Sequence, residues 1–188
     1  MAPILSLSLR KGTKSRVPVW VLRFSFYHNP QHIIMFFSDK KIIKYIKDEI
    51  IGITPFKGEF LGSVSYEMHL GSLLFQVKPK GKYFNGGKPK EKELTPIKVK
   101  NKSYTLSPGE FIIGKTEEKI YCNSETMAIF DGKPSLAQIG LFTNISSVLV
   151  DPLTDSVITC EIYNASKFPI KLMIGQKIGQ IFFSGVSN

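Results

Sequence analysis

The spacing of turn-forming residues after Tyr104 constrains the fold more than any other feature of this sequence. Short apolar runs are separated there by turn signals such as Ser107-Pro108-Gly109, Asp151-Pro152 and Gly175. Short strands with a turn signal about every 8–12 residues are typical of all-β sandwiches and barrels. The pattern therefore predicts a mainly β fold.

Before these strands, Met35–Ile50 has the pattern of one short N-terminal helix. Ser38 is a candidate N-cap, and Asp39 follows in the first turn, where a negative charge suits the helix dipole. A one-sided apolar stripe is formed by Ile42, Ile43, Ile46 and Ile50. Strand patterns are predicted at Ile51–Phe56, Gly62–Gly71, Leu73–Val77, Glu110–Lys119, Glu125–Phe130, Ser156–Asn164, Ile170–Ile174 and Ile178–Phe183.

The 188 residues fit one domain with a core of its own. Residues 1–34 are basic and contain no acid, as in a transit peptide, but an upstream extension ahead of a start at Met35 is the simpler interpretation. We therefore predict an N-terminal extension at 1–34 and a folded domain at 35–188.

Charge and cysteine content limit the classes of partner. The net charge is +10, and Lys78–Lys102 contains nine lysines but only two acids. Such a segment is most simply a solvated loop, so nucleic acid is not an expected partner.

No run of 18 apolar residues is present, so no membrane span is predicted. The two cysteines, Cys122 and Cys160, cannot form a disulfide framework and indicate a reducing compartment such as the cytoplasm.

The clearest chemical candidate is Glu161. In Ser156–Asn164 the period is two, so Ile158, Cys160 and Ile162 share an apolar face while Glu161 lies on the mixed opposite face. A carboxylate in a half-apolar setting can take and return a proton near neutral pH. The alternative is an ordinary exposed strand glutamate.

Other residues give weaker signals. Gly132–Ala137 is a compact loop in which Lys133 and Ser135 could bind phosphate. Asp151 precedes a proline and is most often a turn former. His69 has no partner at metal-ligand spacing, so a structural or surface role is expected.

Several enzyme classes lack their signatures in this sequence. The zinc-deaminase motif, H-x-E followed by P-C-x-x-C, is missing. So are the phosphate-binding G-x-x-x-x-G-K-[ST] loop and the dinucleotide motif G-x-G-x-x-G. No G-x-S-x-G elbow supports a serine hydrolase.

Six segments, taken in order, resemble motifs of the dCTP deaminase branch of the dUTPase-like superfamily. They are MFFSDKKIIKY (Met35–Tyr45), SYEMHLG (Ser65–Gly71), LSPGEFIIG (Leu106–Gly114), GKPSLAQIGL (Gly132–Leu141), the segment Asp151–Asn164, and GQKIGQIF (Gly175–Phe182). The order and spacing of the motifs together are specific, and the resemblance covers nearly all of the chain after Met35.

The resemblance implies a distorted jelly-roll or dUTPase-like β-barrel and a homotrimer with active sites shared between neighbours. It implies zinc-free deamination of dCTP to dUTP and ammonia, with Mg²⁺ on the triphosphate. Glu161 falls at the acid–base position and Asp151 at a position that holds deoxyribose and helps to activate water. The positions expected to bind substrate are Lys133, Ser135, Gln138 and Gln180.

Some positions depart from the family pattern. Lys133 and Gln138 replace arginines, Pro134 replaces a serine, and Leu153-Thr154 replaces Gly-Trp. The chain ends at Asn188, where the family usually continues into a lid, and this predicts weaker triphosphate binding. Two alternatives to dCTP deamination therefore stay open: hydrolysis of dUTP to dUMP and diphosphate, and a degenerate, non-catalytic nucleotide-binding member.

Overall fold

A computed structural model describes residues 35–84, 86–87, 89–146 and 149–186, and every structural statement below refers to them. The predicted extension at 1–34 lies outside the described residues. The eleven strands are β1 Ile51–Thr54, β2 Tyr66–Val77, β3 Leu94–Pro96, β4 Ser103–Leu106, β5 Phe111–Cys122, β6 Thr126–Gly132, β7 Leu141–Phe142, β8 Leu149–Val150, β9 Asp155–Asn164, β10 Ile170–Met173 and β11 Lys177–Gly185. The helices are α1 Asp39–Lys47, α2 Pro134–Ala137 and the 3-10 turns Gly58–Phe60 and Glu91–Glu93.

Helix α1 begins where the sequence predicts. The Ser38 side chain accepts a hydrogen bond from the Lys41 backbone N–H at 3.4 Å, which satisfies one of the free donors of the first turn. Ile42 is fully buried, whereas Ile43 is 39% exposed, so the apolar stripe is narrower than predicted.

Antiparallel pairing organises most of the strands into one nine-stranded sheet. Its main path is β7-β9-β5-β2-β11-β6-β8, with β1 also paired to β5 and β3 to β2, and a separate two-stranded sheet joins β10 to β4. Register shifts interrupt the pairing of β5 with both β9 and β2. Such bulges bend a strand and increase its twist. The result is a curled, barrel-like sheet with one short N-terminal helix, which confirms the predicted mainly β class.

The core lies inside this curled sheet. Tyr66, Phe130 and Phe183 are among its largest fully buried side chains. On β9, the predicted apolar face is confirmed, because Cys160 and Ile162 are fully buried and Ile158 is 8% exposed.

Both cysteine thiols are free and buried. Burial raises the pKa of Cys122 to about 11 and that of Cys160 to about 12. Both thiols therefore stay protonated at neutral pH and behave as small apolar side chains.

Two local predictions were wrong. The separate strands predicted at Gly62–Gly71 and Leu73–Val77 are one strand, β2, because the chain bulges at Gly71 without leaving the sheet. A Cβ at Gly71 would lie 2.9 Å from the Thr116 carbonyl oxygen, so this close approach requires glycine. The compact loop predicted at Gly132–Ala137 contains the single helical turn α2, which Pro134 begins.

Among the glycines of the described residues, Gly179 leaves the least room for a side chain. It lies on β11 between Met68 of β2 and Gly132 of β6, and a Cβ there would lie 2.4 Å from the Asp131 carbonyl oxygen. Because backbone is paired on both sides, we expect Gly179→Ala to lower the free energy of unfolding by about 1–3 kcal/mol.

Urea denaturation would measure this change. Gly58→Ala is the matched control, since no heavy atom lies within 4 Å of a Cβ at Gly58. Equal free energies of unfolding for the two variants would contradict the prediction, because they would show that the strands beside Gly179 can accommodate a methyl group without loss of stability.

Candidate active site

Glu161 lies half-buried on β9, opposite Ile113 of β5. Its carboxylate accepts a hydrogen bond from the backbone N–H of Ser146 at 2.9 Å to Oε2. The Ser146 hydroxyl lies 3.3 Å from Oε1 and 3.2 Å from Oε2 and donates to the same carboxylate. One residue therefore supplies both hydrogen-bond donors seen on the strongest catalytic candidate.

Ser146 belongs to a short connection, residues 143–146, which we name the strap. At its start, the buried Thr143 hydroxyl donates to the Ile178 carbonyl at 2.8 Å. Asn144 donates from Nδ2 to the Phe130 carbonyl at 3.0 Å. These two bonds fix the strap to β11 and β6 immediately before it reaches Glu161.

The predicted phosphate loop lies close to the strap. The Lys133 backbone N–H donates to the Ile178 carbonyl at 2.9 Å, which is the same oxygen that Thr143 uses. Lys133 is half-buried, whereas Ser135 and Gln138 are exposed on α2. After α2 the chain continues into β7, where Leu141 pairs with Asn164 at the end of β9. Lys133, Ser135 and Gln138 thus lie on the segment that leads to Ser146, the hydrogen-bond partner of Glu161.

Gln180 is half-buried on β11, where its backbone pairs with Asp131 of β6 and Glu67 of β2. The Ser65 hydroxyl donates to its side-chain oxygen at 3.3 Å. Gln180 follows Gly179, whose partner Gly132 begins the phosphate loop. Its place in the sheet is therefore next to that loop.

Asp151 lies apart from Glu161. It is exposed in the turn after β8, and the Thr154 hydroxyl donates to its backbone carbonyl at 2.6 Å. The stretch of β9 from Asp155 to Glu161 spans about 20 Å at the usual rise of an extended strand. Within one chain the two carboxylates therefore do not share a contact.

Leu153, one of the departures from the family pattern, lies in this turn. Leu153 has φ +62°, in the left-handed region that favours glycine. Its backbone N–H donates to the Asn123 carbonyl at 3.2 Å, and its side chain is 75% exposed. The resemblance has glycine at this position, and leucine adopts this left-handed conformation at a conformational cost.

The outward face around Glu161 carries exposed aromatic residues. Tyr163 of β9 pairs with Phe111 of β5 on one side and Phe142 of β7 on the other. Phe111 is 39% exposed and Phe142 is 43% exposed. Because residues alternate along a strand, Tyr163 and Glu161 share this face. An apolar row thus lies directly beside the candidate acid.

His69 lies outside this group and has the structural role that its lack of metal-ligand partners predicts. It is 7% exposed on β2, and its Nδ1 lies 2.6 Å from Oε1 of Glu118, which is 2% exposed. The His69 backbone N–H donates to Oε2 of the same carboxylate at 2.8 Å. The ring also packs on Phe60, with 4.2 Å between ring centroids.

Sequence reasoning missed Ser146, Thr143 and Ser65. Ser65 lies in one of the resembling motifs, but the sequence does not show its bond to Gln180. Thr143 and Ser146 have partners that are distant in sequence, so no local pattern marks them. Among the described residues, no group of three or more His, Cys, Asp or Glu side chains is arranged to hold a metal ion. In the same part of the chain, no helix has the length and apolar character needed to cross a bilayer.

Comparison with known proteins places these features in a family. The dCTP deaminase-like family model matches residues 36–186. A "dCTP deaminase, dUMP-forming" from Tropheryma whipplei is 34% identical over 157 residues, which are 82% of this chain and 80% of that protein. A protein of the same name from Corynebacterium diphtheriae is 33% identical over 150 residues, covering 78% of this chain and 80% of the relative.

The fold also matches a solved structure, the 2'-deoxycytidine 5'-triphosphate deaminase from Agrobacterium tumefaciens. The TM-score is 0.64 at 16% identity, over 82% of this chain and 49% of the solved chain. This chain therefore spans about half the length of that protein, and the likeness concerns the fold alone. Together with the family model and the two relatives, it confirms the resemblance seen in the motifs. The chain belongs to the dCTP deaminase-like family.

Proposed function

We propose that this protein deaminates dCTP with Glu161 as the general acid–base. The observation that carries the proposal is the Glu161 carboxylate, half-buried and held by Ser146, whose strap shares the Ile178 carbonyl with the Lys133 backbone N–H. The names of the two relatives support dCTP as the substrate class.

The reaction needs one water molecule and one carboxylate that changes protonation state. Glu161 takes a proton from water while the oxygen attacks C4 of the cytosine ring. The same proton then passes to the 4-amino nitrogen, the C4–N bond breaks, and ammonia leaves with the bonding electrons. The proton of the new C4 hydroxyl moves to N3 as the C4=O bond forms, which leaves the 4-oxo ring of uracil. No zinc ion enters this scheme.

The triphosphate would lie along the α2 loop. The Lys133 ammonium and the Ser135 hydroxyl are suited to phosphate oxygens, and the exposed Gln138 amide can donate beside them. Lysine binds phosphate as a point charge, whereas arginine offers two parallel donors, so binding through this loop is expected to depend on salt. Gln180 would contact the nucleotide from the adjoining strand, and Mg²⁺ would arrive bound to the triphosphate.

A second activity, cleavage of dUTP to dUMP and diphosphate, is favoured by Asp151 and by the dUMP-forming relatives. The carboxylate of Asp151 is exposed and lies apart from Glu161, so it could hold deoxyribose and assist a second water molecule at the phosphates. We propose that the protein first deaminates dCTP to dUTP and then hydrolyses dUTP to dUMP and diphosphate.

Asp151→Asn tests this second step. We expect diphosphate release to fall roughly 10- to 100-fold, since a hydrogen bond to a charged group is lost, while ammonia release from dCTP changes much less. The control is Asp155→Asn at the start of β9, where the carboxylate is exposed and paired with Lys119 at 2.8 Å. Loss of ammonia and diphosphate together in Asp151→Asn would contradict separate roles for the two carboxylates.

We also propose that the protein acts as a homotrimer in the cytoplasm. The exposed Phe111 and Phe142, with the half-buried Tyr163 between them, would be covered by a second subunit, which could bring its own Asp151 or lysines to the site. The two unpaired thiols suit a reducing compartment. Light scattering after size-exclusion chromatography would test the trimer, and a monomeric mass would overturn it.

The proposed function itself is tested with dCTP and dUTP in parallel assays of ammonia and diphosphate. Release of ammonia from dCTP supports deamination. Release of diphosphate as well supports conversion as far as dUMP. Diphosphate from dUTP without any ammonia from dCTP would make the protein a dUTP diphosphatase. Nucleotide binding without either product would identify a non-catalytic member of the family.

A further inference from the structure

Ser146 offers Glu161 two different kinds of donor. Its backbone N–H, at 2.9 Å, can only donate, and so it always favours a carboxylate oxygen that carries a lone pair. Its hydroxyl, at 3.2 and 3.3 Å from the two oxygens, can either donate or accept. The hydroxyl can therefore follow a change in the protonation state of Glu161.

The strap fixes where this hydroxyl lies. Thr143 is 2% exposed and donates to the Ile178 carbonyl, and Asn144 donates to the Phe130 carbonyl. Ile178 and Phe130 are both fully buried, on β11 and β6 respectively. Two consecutive strap residues are thus hydrogen-bonded to strands of the sheet. Ser146 is only two residues further along the chain, so its position is limited by these two bonds.

The strap and the phosphate loop share one anchor. The Ile178 carbonyl accepts from the Thr143 hydroxyl at 2.8 Å and from the Lys133 backbone N–H at 2.9 Å. One oxygen of β11 therefore anchors both the first residue of the strap and Lys133 of the phosphate loop.

From this geometry we propose that Ser146 is the positioning residue for Glu161, an inference that rests on the proposed deaminase function. While Glu161 is ionised, the Ser146 hydroxyl donates to it and holds the carboxylate so that one oxygen faces the attacking water. Once Glu161 has taken the proton, the hydroxyl rotates and accepts from the new O–H. The carboxyl group keeps its orientation through both proton transfers, and the strap ties this orientation to the phosphate loop.

Three variants separate this role from a structural one. Ser146→Ala removes the hydroxyl and keeps the backbone N–H, and we expect kcat for ammonia release to fall roughly 5- to 20-fold while KM for dCTP changes less than about twofold. Ser146→Thr keeps the hydroxyl and should recover most of kcat. Ser156→Ala removes an exposed hydroxyl from the same strand as Glu161 and should leave kcat unchanged.

A double-mutant cycle with Glu161→Gln tests whether the two residues act together. We expect Ser146→Ala to cause no further loss of kcat in the Glu161→Gln background. Wild-type kcat in Ser146→Ala, or an equal fractional loss in both backgrounds, would overturn the proposal.

Amide NMR tests the contact without relying on turnover. In ¹⁵N-labelled protein, Glu161→Gln should move the Ser146 amide proton upfield, because a neutral oxygen replaces a charged acceptor, and Glu125→Gln should not. An unmoved Ser146 resonance overturns the positioning role even if dCTP is turned over. A moved resonance in a protein that releases no ammonia would instead show that the contact exists and that the proposed deamination is wrong.

Discussion

Glu161→Gln is expected to lower kcat for ammonia release from dCTP by about 10²–10⁴-fold, the usual contribution of a general acid–base. Glutamine has nearly the same shape, and its side-chain oxygen can still accept from the Ser146 N–H, so the fold and nucleotide binding should persist. The amide nitrogen cannot take a proton from water, and the chemical step is therefore lost. Steady-state assays of ammonia, with KM measured in parallel, would show this as a change in kcat with little change in KM.

The matched control is Glu125→Gln, which changes an exposed glutamate in the turn before β6. We expect it to keep wild-type kcat. If Glu161→Gln kept wild-type kcat as well, another group would have to activate water, and the proposed mechanism would fail. Circular dichroism of both variants would show whether a loss of rate reflects chemistry or misfolding.

Glu118→Ala is expected to lower the free energy of unfolding by about 3–5 kcal/mol, the cost of removing one partner from a buried polar pair. Glu118 and His69 are 2% and 7% exposed, and Glu118 accepts from both the ring and the backbone N–H of His69. Alanine would leave both donors without an acceptor and would open a cavity between β2 and β5. Urea denaturation monitored by circular dichroism would measure the change.

Two comparisons sharpen that experiment. Glu117→Ala, at the exposed neighbouring position on β5, should change stability by less than about 0.5 kcal/mol. The double variant His69→Leu with Glu118→Leu should be more stable than Glu118→Ala, because apolar side chains fill the space of the pair and only the backbone N–H of residue 69 is left without its acceptor. If Glu118→Ala proved as stable as Glu117→Ala, the pair would contribute nothing to folding.

Much of the fold could be predicted from local patterns. The period-two run in β9 predicted its buried face, and the Ser38 cap predicted the start of α1. The bulge at Gly71 could not be predicted, because it depends on a close approach to the Thr116 carbonyl of another strand. Strands β7 and β8 are only two residues long, which is too short for any periodicity to show.

Local sequence patterns likewise predicted one part of the candidate site and not the other. Period-two alternation placed Glu161 off the core face, and the ordered motifs gave it a role. The Ser146 contact joins residues 15 positions apart through the strap, and the His69–Glu118 pair joins residues 49 positions apart across two strands. Such contacts depend on strand order and register, which a single sequence does not state.

The shared Ile178 carbonyl has a consequence for the way this protein loses activity on heating. Enzyme sites built on mobile loops often fail by local opening well below the temperature of global unfolding. Here the phosphate loop and the strap are both bonded to β11, which is paired on both sides in the sheet. Loss of the Ile178 carbonyl as an acceptor would therefore release the phosphate loop and the strap together, so both parts of the site should lose their positions in one thermal step.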